Sequence, residues 1–119
     1  MPESTVAPRV TSEQGGHRLV YVTAPNRDTA LALGRSLVQQ RLAACANVLE
    51  PMTSIYWWHG QLEEDTEAVL IAKAPAERVA ALIEHLEAAH PYECPCIVAL
   101  PIMQGFAPYL RWLEAETSC

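Results

Sequence analysis

With 119 residues, half of them hydrophobic and 18% charged, the chain suits one packed domain that removes on the order of 65% of its unfolded surface from water. A formal net charge of −6 opposes attraction to phosphate backbones and anionic lipid, so nucleic acid and membrane are not expected partners. No stretch approaches the roughly 20 unbroken apolar residues that span a bilayer.

In chain order, residues 1–16 are polar, carry Pro2, Pro8 and the pair Gly15-Gly16, and lack the apolar run of a signal peptide. They read as a flexible tail ahead of a single domain at 17–119, in a protein expected to be cytoplasmic. Its four cysteines, Cys45, Cys94, Cys96 and Cys119, would then be thiols in a reducing compartment. His17 to Ala24, HRLVYVTA, is a short apolar run ended by Pro25 and predicts a buried strand. Asn26 is a helix cap, Asp28 complements the positive helix end, and Ala30, Leu33, Gly34, Leu37 and Val38 recur at helical spacing up to about Gln40.

Residues 41–73, RLAACANVLEPMTSIYWWHGQLEEDTEAVLIAK, predict one long hairpin. Pro51 cannot donate to a ladder, so it belongs at a bulge or on an edge. Ile55 and Trp57 alternate with Ser54, Tyr56 and Trp58, so both faces of the strand carry large rings and each needs a cover. The turn falls at His59-Gly60-Gln61, with Val69 and Ile71 on the return strand. Glu63-Glu64-Asp65 is a solvated hairpin end or a hard-metal site. Pro75 fits the first position of a second helix with Val79, Leu82, Ile83 and Leu86 on its apolar face. Cys96 to Pro101 predicts a last strand, and Phe106 to Leu113 a short C-terminal helix. The order β-α-β-β-α-β is that of an α+β, ferredoxin-like split β-α-β fold, with the helices on one sheet face.

Thr23-Ala24-Pro25-Asn26, Arg41-Leu42-Ala43-Ala44-Cys45, Ser54-Ile55-Tyr56-Trp57-Trp58, Gly60, Glu67, Lys73, His90-Pro91-Tyr92-Glu93 and Tyr109-Leu110-Arg111-Trp112 together resemble the CutA divalent-cation tolerance proteins. The likeness covers about Arg18 to Leu113. It implies the ferredoxin-like fold, a homotrimer closed by the long hairpin, an association with copper and other divalent metals, and no enzymatic reaction. It also implies an architecture similar to the PII signalling proteins, whose trimers bind nucleotides between subunits. Where the family has Val-Pro-Glu after His-Pro-Tyr-Glu, this chain has Cys94-Pro95-Cys96, and it has Val22 and Ala89 where some members place a cysteine and a second histidine. Of that ligand set only His90 is present.

Extended, Cys94 and Cys96 project to one side, which suits a soft ion such as Cu(I). His90, at a helix end, is a ligand or a structural residue, and Cys45 is a ligand or a small buried side chain. The candidate metal set is therefore His90, Cys94, Cys96 and Cys45, for copper or another divalent metal. Tyr56, Trp57 and Trp58 are the candidate trimer interface. Under the PII-like alternative, Tyr56, Trp58, Lys73 and Glu93 would line a pocket for a small anion or nucleotide. Lys73 is otherwise a partner of Glu67 or a surface lysine. No phosphate loop, nucleophile elbow or zinc-spaced quartet is present, so no catalysis is expected.

Overall fold

The structure, a computed structural model, describes residues 16–118; all but the last residue of the expected tail lies outside that range. Four strands, β1 (His17–Ala24), β2 (Cys45–Trp58), β3 (Gln61–Pro75) and β4 (Ile97–Ile102), form one antiparallel sheet in the order β2-β3-β1-β4. Helices α1 (Arg27–Gln39) and α2 (Val79–Ala89) are the two crossovers and α3 (Ala107–Glu116) follows β4. This is the ferredoxin-like arrangement.

Helix α1 starts where Asn26 Oδ1 accepts the Thr29 N–H at 2.8 Å. It presses close to the sheet at Gly34, where a Cβ would meet Leu70 Cδ1 at 3.1 Å and Ala46 Cβ at 3.2 Å. Pro75 ends β3 and caps a 3-10 turn, Ala76–Arg78, so α2 begins later than a proline at its first position would require. The core lies between the helices and one sheet face: Val20, Val22 and Ala24 of β1 and Ala68, Leu70, Ala72 and Ala74 of β3 pack with Ala30, Leu33 and Leu37 of α1 and Leu82 and Leu86 of α2. The even positions of β1 and β3 thus face the helices, and the odd positions make an outer face. Helix α3 sits at the start of β1, where His17 Nε2 lies 2.7 Å from Glu114 Oε2 and Lys73 Nζ lies 5.7 Å from the centre of the Tyr109 ring.

Strand β2 is an edge strand with its bulge at Pro51: Leu49 pairs with Val69 but Met52 with Glu67, so Glu50 and Pro51 oppose one residue. The extra residue reverses which parity faces out. Ala46 and Val48 look toward the helices, whereas beyond the bulge Ser54, Tyr56 and Trp58 share the outer face with Asp65 and Glu67. The pairing of β3 with β1 ends at Ala68, and the hairpin runs on alone to Trp58 and Gln61. At its tip His59 and Gly60 both have positive φ, 50° and 77°, which makes the two-residue turn whose twist matches the strands. The projecting hairpin stretches the molecule to 55 × 28 × 24 Å.

Candidate functional site

A cleft of about 580 Å³ opens on the outer face where the hairpin leaves the sheet. Ser54, Tyr56 and Trp58 of β2 and Glu67 of β3 form one wall, and Pro91, Tyr92, Glu93, Cys94 and Cys96, from the connection between α2 and β4, form the other. His90 fixes that connection. Its backbone N–H donates to Leu86 O at 2.8 Å, its Nδ1 accepts the Tyr92 N–H at 3.1 Å, and its Nε2 lies 2.7 Å from Thr23 O. A ring that accepts at Nδ1 must carry its proton on Nε2, so it donates to the Thr23 carbonyl and both nitrogens are engaged.

Glu67 is only 7% exposed, and its Oε2 accepts the Tyr92 hydroxyl at 2.6 Å. The Tyr56 hydroxyl donates to Asp65 Oδ2. Both phenols hold their protons into alkaline pH. The hydrogen bond to Asp65 pushes Tyr56 up to about 12, and burial, then Glu67, pushes Tyr92 up further. Burial and then the nearby Glu67 charge also push the Cys96 thiol up. The cleft thus combines three aromatic rings, two carboxylates and two thiols, and no Lys or Arg is among its lining residues.

Of the expected metal set, Cys94 and Cys96 share the cleft, while His90 and Cys45 do not join them. The 8% exposed His90 has no lone pair to offer because its contacts are to the backbone. Cys45 pairs with Lys73 at the other end of the sheet, three strand spacings (about 14 Å) and about 13 Å of strand length from Cys96. Among the described residues no three His, Cys, Asp or Glu side chains converge on one point.

Of the expected pocket, Tyr56, Trp58 and Glu93 are present and Lys73 is not. Its Nζ donates to Asn47 Oδ1 at 3.2 Å and lies 3.9 Å from Cys45 Sγ. Lys73 cannot partner Glu67, since six residues of extended strand separate them, about 20 Å. Among the lining residues that the sequence reading left out of the pocket are Tyr92 and Glu67, the latter read there only as a partner for Lys73. The signal was Glu67 itself, a carboxylate directly before the apolar run Ala68–Ala72. Of the expected interface residues, Trp57 points away from the cleft and is 71% exposed, while Tyr56 and Trp58 belong to the cleft wall.

The profile of the CutA1 divalent ion tolerance protein family matches residues 18–116. A CutA homolog from Xenopus laevis is 48% identical over 83% of this chain, and the divalent-cation tolerance protein CutA of Thermus thermophilus is 42% identical over 83% of this chain and 96% of its own length. The chain spans less than two thirds of several relatives, 66% of the Xenopus protein and 58% of mouse protein CutA. The crystal structure of CutA1 from Oryza sativa superposes with a TM-score of 0.84 at 40% identity, covering 87% of this chain and 94% of that one. The expected cytoplasmic location does not stand. Relatives from rice and Arabidopsis are named chloroplastic, and an Archaeoglobus fulgidus structure is named periplasmic. No described helix is long and apolar enough to cross a membrane, and that does not fix a compartment.

Proposed function

This chain belongs to the CutA1 divalent ion tolerance protein family, and from that premise we propose that it is a homotrimeric, cation-binding protein of metal tolerance that takes copper as Cu(I) on Cys94 and Cys96. The observation that carries this reading is the lining of the cleft: two thiols and two carboxylates with no Lys or Arg. Such a lining attracts cations and opposes the phosphates of a nucleotide, so the PII-like alternative lacks the basic group it needs. The donor set fits a soft ion. Two thiolates suit Cu(I), whereas a hard divalent ion needs six or more oxygens and geometry that two separate carboxylates do not supply.

The protein acts by binding rather than by turnover. The cleft's phenols are driven away from neutral pH, which is the opposite of what a general acid or base requires. The trimer is supported by apolar surface that one chain leaves bare: Ile55, Trp57 and Leu62 on one hairpin face, and Leu49, Val98 and Leu100 on the outer sheet face.

A competition titration of Cu(I) against a chelator tests the site. Cys94→Ser/Cys96→Ser should lose most Cu(I) affinity with its fold intact, and parent-like binding by that variant overturns the assignment.

A further inference from the structure

The wall of the cleft opposite the thiols has its own chemistry. Glu67 is more than nine-tenths buried, yet among the described residues its one hydrogen-bonding partner is the neutral Tyr92 hydroxyl on Oε2. A buried carboxylate is normally paired with a cation, because desolvation penalises the unpaired charge. Among the described residues no Lys or Arg reaches this one. Its surroundings are instead the rings of Tyr56 and Tyr92, with a second carboxylate, Glu93, on the facing wall and Trp58 further out along the hairpin. Aromatic faces and a carboxylate together recognise organic ammonium ions: the ring quadrupoles attract the charge and the carboxylate accepts the N–H. A cleft of about 580 Å³ admits a short chain behind the ammonium head.

We propose that this wall binds the ammonium end of a small organic cation, a primary alkylammonium, with Glu67 accepting its N–H through the oxygen that Tyr92 leaves free and the Tyr56 and Tyr92 rings flanking the charge. The site shares the cleft with the copper thiols but uses other side chains. A metal ion is a poorer match on this wall, since Glu67 and Glu93 come from opposite sides and, among the described residues, no third ligand joins them.

The test is an NMR titration of the full chain that follows the Tyr56 and Tyr92 ring protons with butylammonium, butanol and butyrate, three ligands of similar shape and different charge. Butylammonium should shift these signals saturably, and butanol and butyrate should not. Glu67→Gln keeps an oxygen that can accept the Tyr92 hydroxyl, so it should fold and weaken butylammonium by roughly tenfold to a hundredfold. Cys94→Ser/Cys96→Ser should leave this titration unchanged, which separates the ammonium site from the copper site whichever fails. Equal response to butanol, no response to butylammonium, or parent-like affinity in a folded Glu67→Gln overturns the proposal. If Glu67→Gln does not fold, the three-ligand comparison on the parent chain decides alone.

Discussion

The Tyr92 hydroxyl donates to Glu67 Oε2 across 2.6 Å and ties the connection after α2 to the root of the hairpin. The bond gives a buried carboxylate its donor, and the carboxylate in turn keeps the phenol protonated. Tyr92→Phe removes the donor and leaves Glu67 desolvated without a partner. The expected cost is about 1–3 kcal/mol in urea unfolding at neutral pH; an unchanged midpoint would show that the bond contributes nothing.

Alkaline titration reads both tyrosine–carboxylate pairs. Of the four tyrosines, Tyr56 is pushed up to about 12 by its hydrogen bond to Asp65, and Tyr92 is pushed higher still by burial and Glu67. The native state therefore holds these protons more tightly than the unfolded chain, whose tyrosines titrate near 10. The resulting stability is intact below pH about 10 and falls as pH rises through about 12. Phenolate absorbance should show two late-titrating groups, reduced to one in Asp65→Asn because Tyr56 then returns toward its ordinary range. Four phenols titrating together near 10 would contradict this.

Cys94 and Cys96 should differ in reactivity although one proline separates them. Burial, then the Glu67 charge, pushes the Cys96 thiol up, and the thiolate is the species that alkylates and binds metal. Site-resolved iodoacetamide labelling should place the pH profile of Cys96 above the ordinary thiol range. Glu67→Gln should move it down only in part, because burial remains. Cu(I) affinity should fall with falling pH, as binding releases the thiol protons. A Cys96 profile that ignores Glu67→Gln would contradict the electrostatic contribution.

The chain order of elements, the antiparallel sheet and the turn at His59-Gly60 were legible because each has a local cause: apolar period, capping side chain, or a glycine at positive φ. Pro51 was legible as a bulge, but its consequence was not. One inserted residue turns Tyr56 and Trp58 onto the face that carries Glu67, and no local pattern reveals that phase change. Strand β3 runs from Gln61 to Pro75, through the Glu63-Glu64-Asp65 run read as a solvated hairpin end or a metal site, since cross-strand pairing with β2 holds its acidic residues extended despite their weak strand preference. Lys73 and His90 lie apart from the pocket and metal sets they were grouped with for a common reason. Their neighbours in space, Tyr109 and Asn47 for one and the Thr23 carbonyl for the other, are distant in sequence.

His90 makes the contrast testable. If it is a copper ligand, His90→Ala should weaken copper and leave folding largely intact; its geometry points the other way. Loss of the contacts to Thr23 O and the Tyr92 N–H should cost about 2–3 kcal/mol of stability. Cu(I) stoichiometry in the folded fraction should stay at the parent value. Lost stoichiometry without lost stability would return His90 to the ligand set.

The last expectation concerns assembly. Trp57 is 71% exposed on a hairpin that extends beyond the sheet, with Ile55 beside it and Leu62 directly across the ladder. Burying ~200 Å² of one tryptophan contributes roughly 5 kcal/mol per chain before the opposing entropy, more than scattered surface contacts supply. A radius of gyration of 15.9 Å, against about 13 Å for a compact domain of this length, shows how far the hairpin stands from its own core. Among the described residues, none of the chain's own core covers it, so a second molecule is the cover the trimer supplies. Sedimentation at micromolar concentration should give a trimer, with a thermal midpoint that rises with protein concentration because dissociation accompanies unfolding. Trp57→Ala/Leu62→Ala should lower that midpoint and shift the species toward monomer while leaving the cleft on the opposite hairpin face able to bind Cu(I). A parent chain that sediments as a monomer would remove the trimer from the proposed function and leave the cleft to be judged on its own chemistry.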